Sequence, residues 1–356
     1  MTDAWGNIPY SQALNPDKYR APEYDSQQSI YAGLLSEVSD AVSMIDEAQA
    51  GPGGDLIYSG DMSLWKKFGN SLKMRVALRI ADVSPTTAQS AFEAAAAAGG
   101  FTANSDNALF PYGEGVDANP IYFNRYIDNR NDYAASNILL DILNTSNDAR
   151  LPCFFTQATA TSTWVGEVYG LSEANAASTP NSSVSQRSAL VLSPTMPGIY
   201  LDYAQVEFML AEGAERGWNV GGGSAQSHYD AGVTASIDFW TTLNGTPADP
   251  ADIATYLAQP SVDYTNAGSG ATWQEKIGKQ KWIALFNQGI QGWTEWRRLD
   301  FGILQLPADG VLDGSGIPLR MKYAVDEQTL NAAHYSAAIA AQGPDLQSTK
   351  VWWDVQ

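Results

Sequence analysis

Among the side chains that could move a proton at neutral pH, this sequence offers only two histidines, His228 and His334. Each stands beside a tyrosine in a stretch of helical pattern, and neither has a nucleophile context around it, so both read as structural or surface histidines. Cys153 is the single cysteine, which excludes an intrachain disulfide and a multi-cysteine metal site; it reads as a small apolar core residue. No phosphate loop, dinucleotide fingerprint, nucleophile elbow or H-E-x-x-H helix is present. The 39 acidic residues make chance carboxylate pairs plentiful, and a glycosidase needs only two at about 5–10 Å, so counting acids decides nothing. The run from Asp309 to Gly316 resembles a calcium loop only loosely. It lacks alternate oxygen ligands and a closing glutamate, and reads as a turn, leaving no metal or other cofactor to expect.

Aromatic rings set among polar residues are more informative. Trp164 and Tyr169 fall in a Ser/Thr/Asn/Gly-rich stretch, while Tyr122, Phe123 and Tyr126 follow Asn119-Pro120 beside Arg125 and Arg130. Flat rings stack on the C–H faces of sugars, and neighbouring Asn, Asp and Arg bond the hydroxyls. The candidate ligand residues are therefore Trp164 with Tyr169 as one group, and Tyr122, Tyr126 and Arg130 as the other. The competing reading is that each ring pins its own loop to the body.

The elements that must position these rings are helices. Trp65, Phe68, Leu72, Val76, Ile80 and Val83 recur at helical spacing behind Gly60-Asp61 and predict about six turns. Ser84-Pro85 reads as the start of a second helix, which runs through Ala94–Ala98 and closes at Gly99-Gly100, giving an αα-hairpin. The same pattern spans 25–48, 134–143, 200–215, 225–243, 273–299 and 328–341. In the 200–215 segment both Tyr200/Tyr203/Val206/Leu210 and Leu201/Ala204/Phe208/Ala211 are apolar lines, which predicts packing on more than one face. Trp65, Trp240, Trp273, Trp282, Trp293 and Trp296 sit at helical spacing as core candidates. Long polar stretches at 112–131, 156–197 and 260–272 separate the helices, and no β-α alternation appears.

With 356 residues, 44% of them hydrophobic, the chain can bury a full core. Its formal net charge of -19 repels nucleic acid and anionic lipid at long range. No run of about 18 apolar residues and no signal sequence is present.

Several segments resemble the SusD/RagB superfamily, in its SusD-like branch of starch-utilisation-type lipoproteins. Asp3-Ala-Trp-Gly-Asn-Ile-Pro-Tyr-Ser-Gln-Ala-Leu14 is similar to the family's D-x-F/W-G-D-V-P-Y-S-E-A, with Asn7 in place of aspartate; Pro22-Glu-Tyr-Asp-Ser-Gln27 follows it. Gly60 to Arg75 resembles G-D-x-x-x-W-x-K-F-A-N-S-L-K-L-R. Arg130-Asn-Asp-Tyr133 with Ser136, and Asp148-Ala-Arg-Leu-Pro152, resemble R-x-D-Y…S…D-P-R-L-P. Tyr203 to Gly217 is similar to Y-A-E-V-x-F-L-L-A-E-A-x-x-R-G, with Gln205 and Gly213 as departures. Lys279–Phe286, Glu295-Trp-Arg-Arg298, Pro318–Tyr323 with Glu327 and Asn331, and Val351-Trp-Trp-Asp354 resemble its closing signatures.

The resemblance implies an all-α, tetratricopeptide-type SusD-like helical array with long irregular loops. Residues 1–356 then form a single SusD-like domain without the family's N-terminal segment. It also implies a non-catalytic, surface-exposed outer-membrane lipoprotein that captures an oligosaccharide or other nutrient and delivers it to a SusC-like TonB-dependent transporter. Membrane association would run only through a lipid anchor not visible in this sequence. The matched motifs are scaffold motifs and carry over no ligand residue. An all-α glycoside hydrolase and a protein-interaction scaffold are the alternatives.

Overall fold

The computed structural model describes residues 1–310 and 316–356. The Asp309–Gly316 turn therefore lies mostly outside the described residues. Asp309 itself is engaged by its own chain: its carboxylate accepts from the Ser172 amide at 2.5 Å and from Asn175 Nδ2 at 2.8 Å.

Among the described residues the only sheet is an antiparallel ribbon of β1 (Ala108–Phe110) and β2 (Gly198–Leu201), with Ala108 opposite Leu201. The remaining architecture is helical. Its main elements are α1 (Gln27–Met44), α2 (Met62–Arg79), α3 (Pro85–Ala98), α4 (Asn137–Thr145), α5 (Tyr203–Glu215), α6 (Ala225–Leu243), α7 (Pro250–Leu257), α8 (Trp273–Ala284), α9 (Gly289–Leu299) and α10 (Ala332–Gln342). Ser26, Asp61, Ser136, Asp202, Ser224, Asp249 and Thr272 each accept from a first-turn amide, satisfying donors that a helix start leaves unpaired. Ser84 stands at the expected place before Pro85 but makes no such side-chain bond.

Three boundaries differ from the periodicity. Helix α2 stops at Arg79, and Ile80 to Val83 continue as turn, because the chain must redirect into α3 before Pro85. Tyr200 lies in β2, exposed, rather than in the helix that begins at Tyr203. The 273–299 stretch is two helices, parted where Asn287 adopts a left-handed conformation (φ 65°). Apolar spacing runs across that joint and conceals it.

Successive helices pack as neighbours, α1 on α2, α2 on α3, α5 on α6 and α8 on α9, while α5 also meets α2 and α8. This is a tetratricopeptide-like stack, with α5 at its centre. Ala204, Val206, Phe208, Met209 and Ala211 of α5 are all buried, so it is packed on more than one face. Gly213 admits the Phe92 ring: a Cβ there would lie 2.8 Å from it. Of the tryptophans read as core, Trp240 is fully buried and Trp65, Trp273, Trp282, Trp293 and Trp296 are half-buried. Trp353 is buried as well. Cys153 lies fully inside the cluster of Phe154, Trp240 and Leu140.

Charged residues, most of them from the motif segments, join four helices at the centre. Arg298 of α9 donates from both terminal nitrogens to Glu212 of α5 at 2.5 Å, and also pairs with Glu295 at 2.7 Å. Lys281 of α8 reaches Glu295 at 3.0 Å, and Arg79 of α2 pairs with the same carboxylate. Arg216 closes the network onto Glu212 at 2.9 Å and Asp82 at 2.8 Å. Burial alone would raise the Glu295 carboxyl, but Arg298, Lys281 and Arg79 outweigh it and hold it well below the ordinary range; Glu212 is lowered in the same way.

Candidate functional site

Two of the long polar stretches converge beside α4. Ala135 N–H donates to Ser185 O at 2.9 Å, Glu167 N–H to Ala135 O at 2.8 Å and Asn137 N–H to Glu167 O at 2.8 Å. Gly166 makes this knot possible, since a Cβ there would stand 2.3 Å from the Asn137 Cα. Arg187 is fixed by a bridge to Phe155, flanked by bonds from Thr156 N–H to Gln186 O (2.8 Å) and Ser188 N–H to Phe154 O (2.9 Å).

The 112–131 stretch is anchored through Asn119, whose N–H donates to Pro194 O and whose Nδ2 donates to Met196 O, both at 2.7 Å. Its Oδ1 accepts from Ile121 N–H and starts a short helix with Pro120 at the first position. That helix widens over Phe123–Ile127, where Asp128 N–H bonds Phe123 O across five residues, a geometry frequent at functional sites.

Between these anchored segments lies a cleft of about 570 Å³, a volume suited to a small ligand. Leu139, Phe155, Val191 and Phe286 give it apolar surface, and Asn124, Tyr133, Arg187 and Asn287 supply its polar groups. Phe286 is held by stacking on Phe154 at 3.9 Å between centroids. Tyr133 remains 58% exposed, with the Arg187 guanidinium 5.0 Å from its ring centroid. Asn124 Oδ1 and Arg187 Nη2 have no hydrogen-bond partner. A second depression of about 600 Å³ shares Tyr133 and Ala134 with the first, and adds Arg130, Asp132, Glu167 and Glu173.

The sequence candidates divide between two environments. Tyr122 and Tyr126 pair at 5.0 Å in the same short segment as the cleft residues Ile121 and Asn124, and Tyr126 is 52% exposed under Arg125. Arg130 lines the second depression, exposed and paired with Asp132 at 2.5 Å. Trp164 instead is half-buried against the cluster that contains Phe154 and Trp240. Tyr169 is half-buried too, its N–H donating to Asn137 Oδ1 at 3.0 Å and its carbonyl accepting from Ala308 N–H. Tyr122 and Tyr126 thus stand in the cleft's own segment and Arg130 in the adjoining depression, whereas the Trp164 ring packs on the Phe154 and Trp240 cluster and Tyr169 is tied to the body through its backbone. Sequence reasoning missed Asn124, Tyr133, Arg187 and Phe286. One signal was available: Arg187 is the only basic residue between Arg150 and Arg216.

The histidines stand elsewhere. His228 Nδ1 lies 2.7 Å from Glu207 Oε2 and Nε2 lies 2.7 Å from Gly222 O, so both nitrogens face acceptors, an arrangement that favours the imidazolium. The bond to Glu207 raises its pKa against the opposing effect of burial. A raised folded-state pKa contributes stability that is complete below the unfolded value and is lost as pH rises through the folded one. Wild-type protein is therefore expected to exceed His228→Ala in unfolding free energy at about pH 6, with the gap closing by about pH 9. Equal gaps at both pH values, measured by urea titration, would refute the imidazolium assignment.

Among the described residues no group of three or more His, Cys, Asp or Glu side chains could hold a metal ion, and no helix is long and apolar enough to cross a membrane.

Comparison with known proteins supplies the family. Residues 1–324 match the SusD-like family described as starch-binding and associating with the outer membrane. No curated protein matches. Solved structures do: a chitin-binding protein is similar at 29% identity, covering 100% of this chain and 78% of its own, with a TM-score of 0.86. A chitin-binding SusD homologue from Flavobacterium johnsoniae gives 27% identity, 100% and 78% coverage and a TM-score of 0.85. A SusD homologue from Bacteroides uniformis gives 29% identity, the same coverages and a TM-score of 0.85. The all-α stack, the ion-paired motif segments and the match over residues 1–324 together show that this chain belongs to the SusD-like family, within the SusD/RagB superfamily.

Proposed function

We propose that this chain is a non-catalytic glycan-capture protein of the outer-membrane surface, held there by a lipid anchor, which passes an intact oligosaccharide to a SusC-like TonB-dependent transporter. The observation that carries the reading is the cleft at Tyr133 and Arg187. It combines an exposed ring with polar groups that have no partner in the protein, as a sugar's C–H face and hydroxyls require. The family description and the chitin-binding homologues support a carbohydrate ligand. No carboxylate lines the cleft itself; Asp132, Glu167 and Glu173 belong to the depression that shares Tyr133 with it.

Incubation of purified protein with a polysaccharide and oligosaccharide panel is expected to give binding without any new reducing end. Product release abolished by a single carboxylate substitution would favour the hydrolase. Co-expression with a SusC-like transporter from the same organism should yield a co-purifying complex; glycan binding alone, with no complex in any detergent, would remove the delivery step.

A further inference from the structure

We infer that the ligand of the Tyr133–Arg187 cleft is an anionic glycan, with a uronic carboxylate or a sulfate ester placed against Arg187. This rests on the cleft being the glycan site.

Of the eleven arginines, Arg79, Arg130, Arg150, Arg216, Arg298 and Arg320 are ion-paired, and Arg75 and Arg297 donate to backbone carbonyls. The Arg187 side chain has no ion pair and no hydrogen bond among the described residues. Its contact is the Tyr133 ring, and its Nη2 is buried without an acceptor. Arg125 is close enough to be felt electrostatically, and it too has a ring contact, with Tyr126, in place of a carboxylate. Burial, joined by the like charge of Arg125, draws the Arg187 guanidinium below its ordinary value. Asp132, the nearby acid that opposes this, is already bonded to Arg130.

Arg187, with no ion pair among the described residues, stands at a cleft that no carboxylate lines, and the like charge of Arg125 adds to its demand for an anion. Adjoining depressions are lined differently, with Glu167 and Glu173 in one and Asp141 and Glu275 in another. A guanidinium fork bonds carboxylate or sulfate oxygens through two parallel N–H donors, and the stacked ring restricts its orientation. Asn124 Oδ1 remains to accept from a sugar hydroxyl.

Calorimetric titration tests this with oligogalacturonates, a sulfated oligosaccharide, and neutral malto- and chito-oligosaccharides, against wild type, Arg187→Met, Arg187→Lys and Tyr133→Ala. Thermal melts verify that each variant folds. An acidic ligand is expected to bind wild type best, to weaken about ten- to 150-fold in Arg187→Met, to weaken less in Arg187→Lys, and to lose affinity as salt rises. The galacturonate and sulfate arms decide which anion is recognised. A neutral ligand that binds best, is weakened by Tyr133→Ala and is indifferent to Arg187→Met would overturn the anionic ligand while leaving the cleft as the site. Binding unaffected by either change, or no binding by any glycan, would overturn both.

Discussion

Arg298→Ala is expected to lower the stability of this protein by about 3–5 kcal/mol, the cost of leaving a buried carboxylate without its partner. Glu212 is fully buried and depends on Arg298 for two hydrogen bonds of 2.5 Å; Arg216 supplies the other cation at 2.9 Å. Because the loss comes from the stranded charge, the pair Glu212→Gln with Arg298→Met is expected to be less destabilised than the sum of the single changes, by about 0.5–3 kcal/mol. Urea midpoints for the four proteins of the cycle check this, and additive single effects would show that the contact is not coupled. The network also sets the acid limit. Glu212 and Glu295 have folded-state pKa values below their unfolded ones, so their stabilising contribution is present above the unfolded value of about 4.3 and is lost as pH falls through the depressed folded values.

Tyr133→Ala is expected to weaken glycan binding about five- to 150-fold, or about 1–3 kcal/mol, on the analogy of bases stacked on aromatic rings. Its ring is 58% exposed, so stability is expected to move by no more than about 0.5 kcal/mol. Trp164→Ala has the opposite signature. Packed on the Phe154 and Trp240 cluster, it is expected to cost roughly 2 kcal/mol or more of stability with affinity preserved. Melting curves beside titrations separate the two roles, and a Trp164→Ala protein that melts normally but fails to bind would exchange them.

The scaffold was legible because its signals are local. Helical spacing and N-terminal caps place α2, α5 and α6, and the motif segments proved to hold the buried charges Glu212, Lys281, Glu295 and Arg298, with Arg79 four residues beyond one of them. Two of the three departures are accommodated by hydrogen bonding: Asn7 Oδ1 accepts from Gln27 N–H, and Gln205 Nε2 reaches Asp202 and Gln288. The cleft was less legible because Asn124, Tyr133, Arg187 and Phe286 come from separate segments joined only by long-range backbone bonds. Ring composition directed attention to 112–131, which ends two residues before Tyr133. That tyrosine was absorbed into a scaffold motif. Trp164 and Tyr169 stand among polar neighbours in sequence, a pattern that loop-pinning rings and ligand-stacking rings share.

The most direct measurement of the central claim is a crystal structure of the protein soaked with the tightest-binding oligosaccharide from the panel. The expected density is an unbroken sugar chain in the cleft, one ring against Tyr133 and polar substituents within hydrogen-bond distance of Arg187 and Asn124. Density for cleaved products, or for an intact ligand bound elsewhere with the Tyr133 cleft filled only by water, would contradict it.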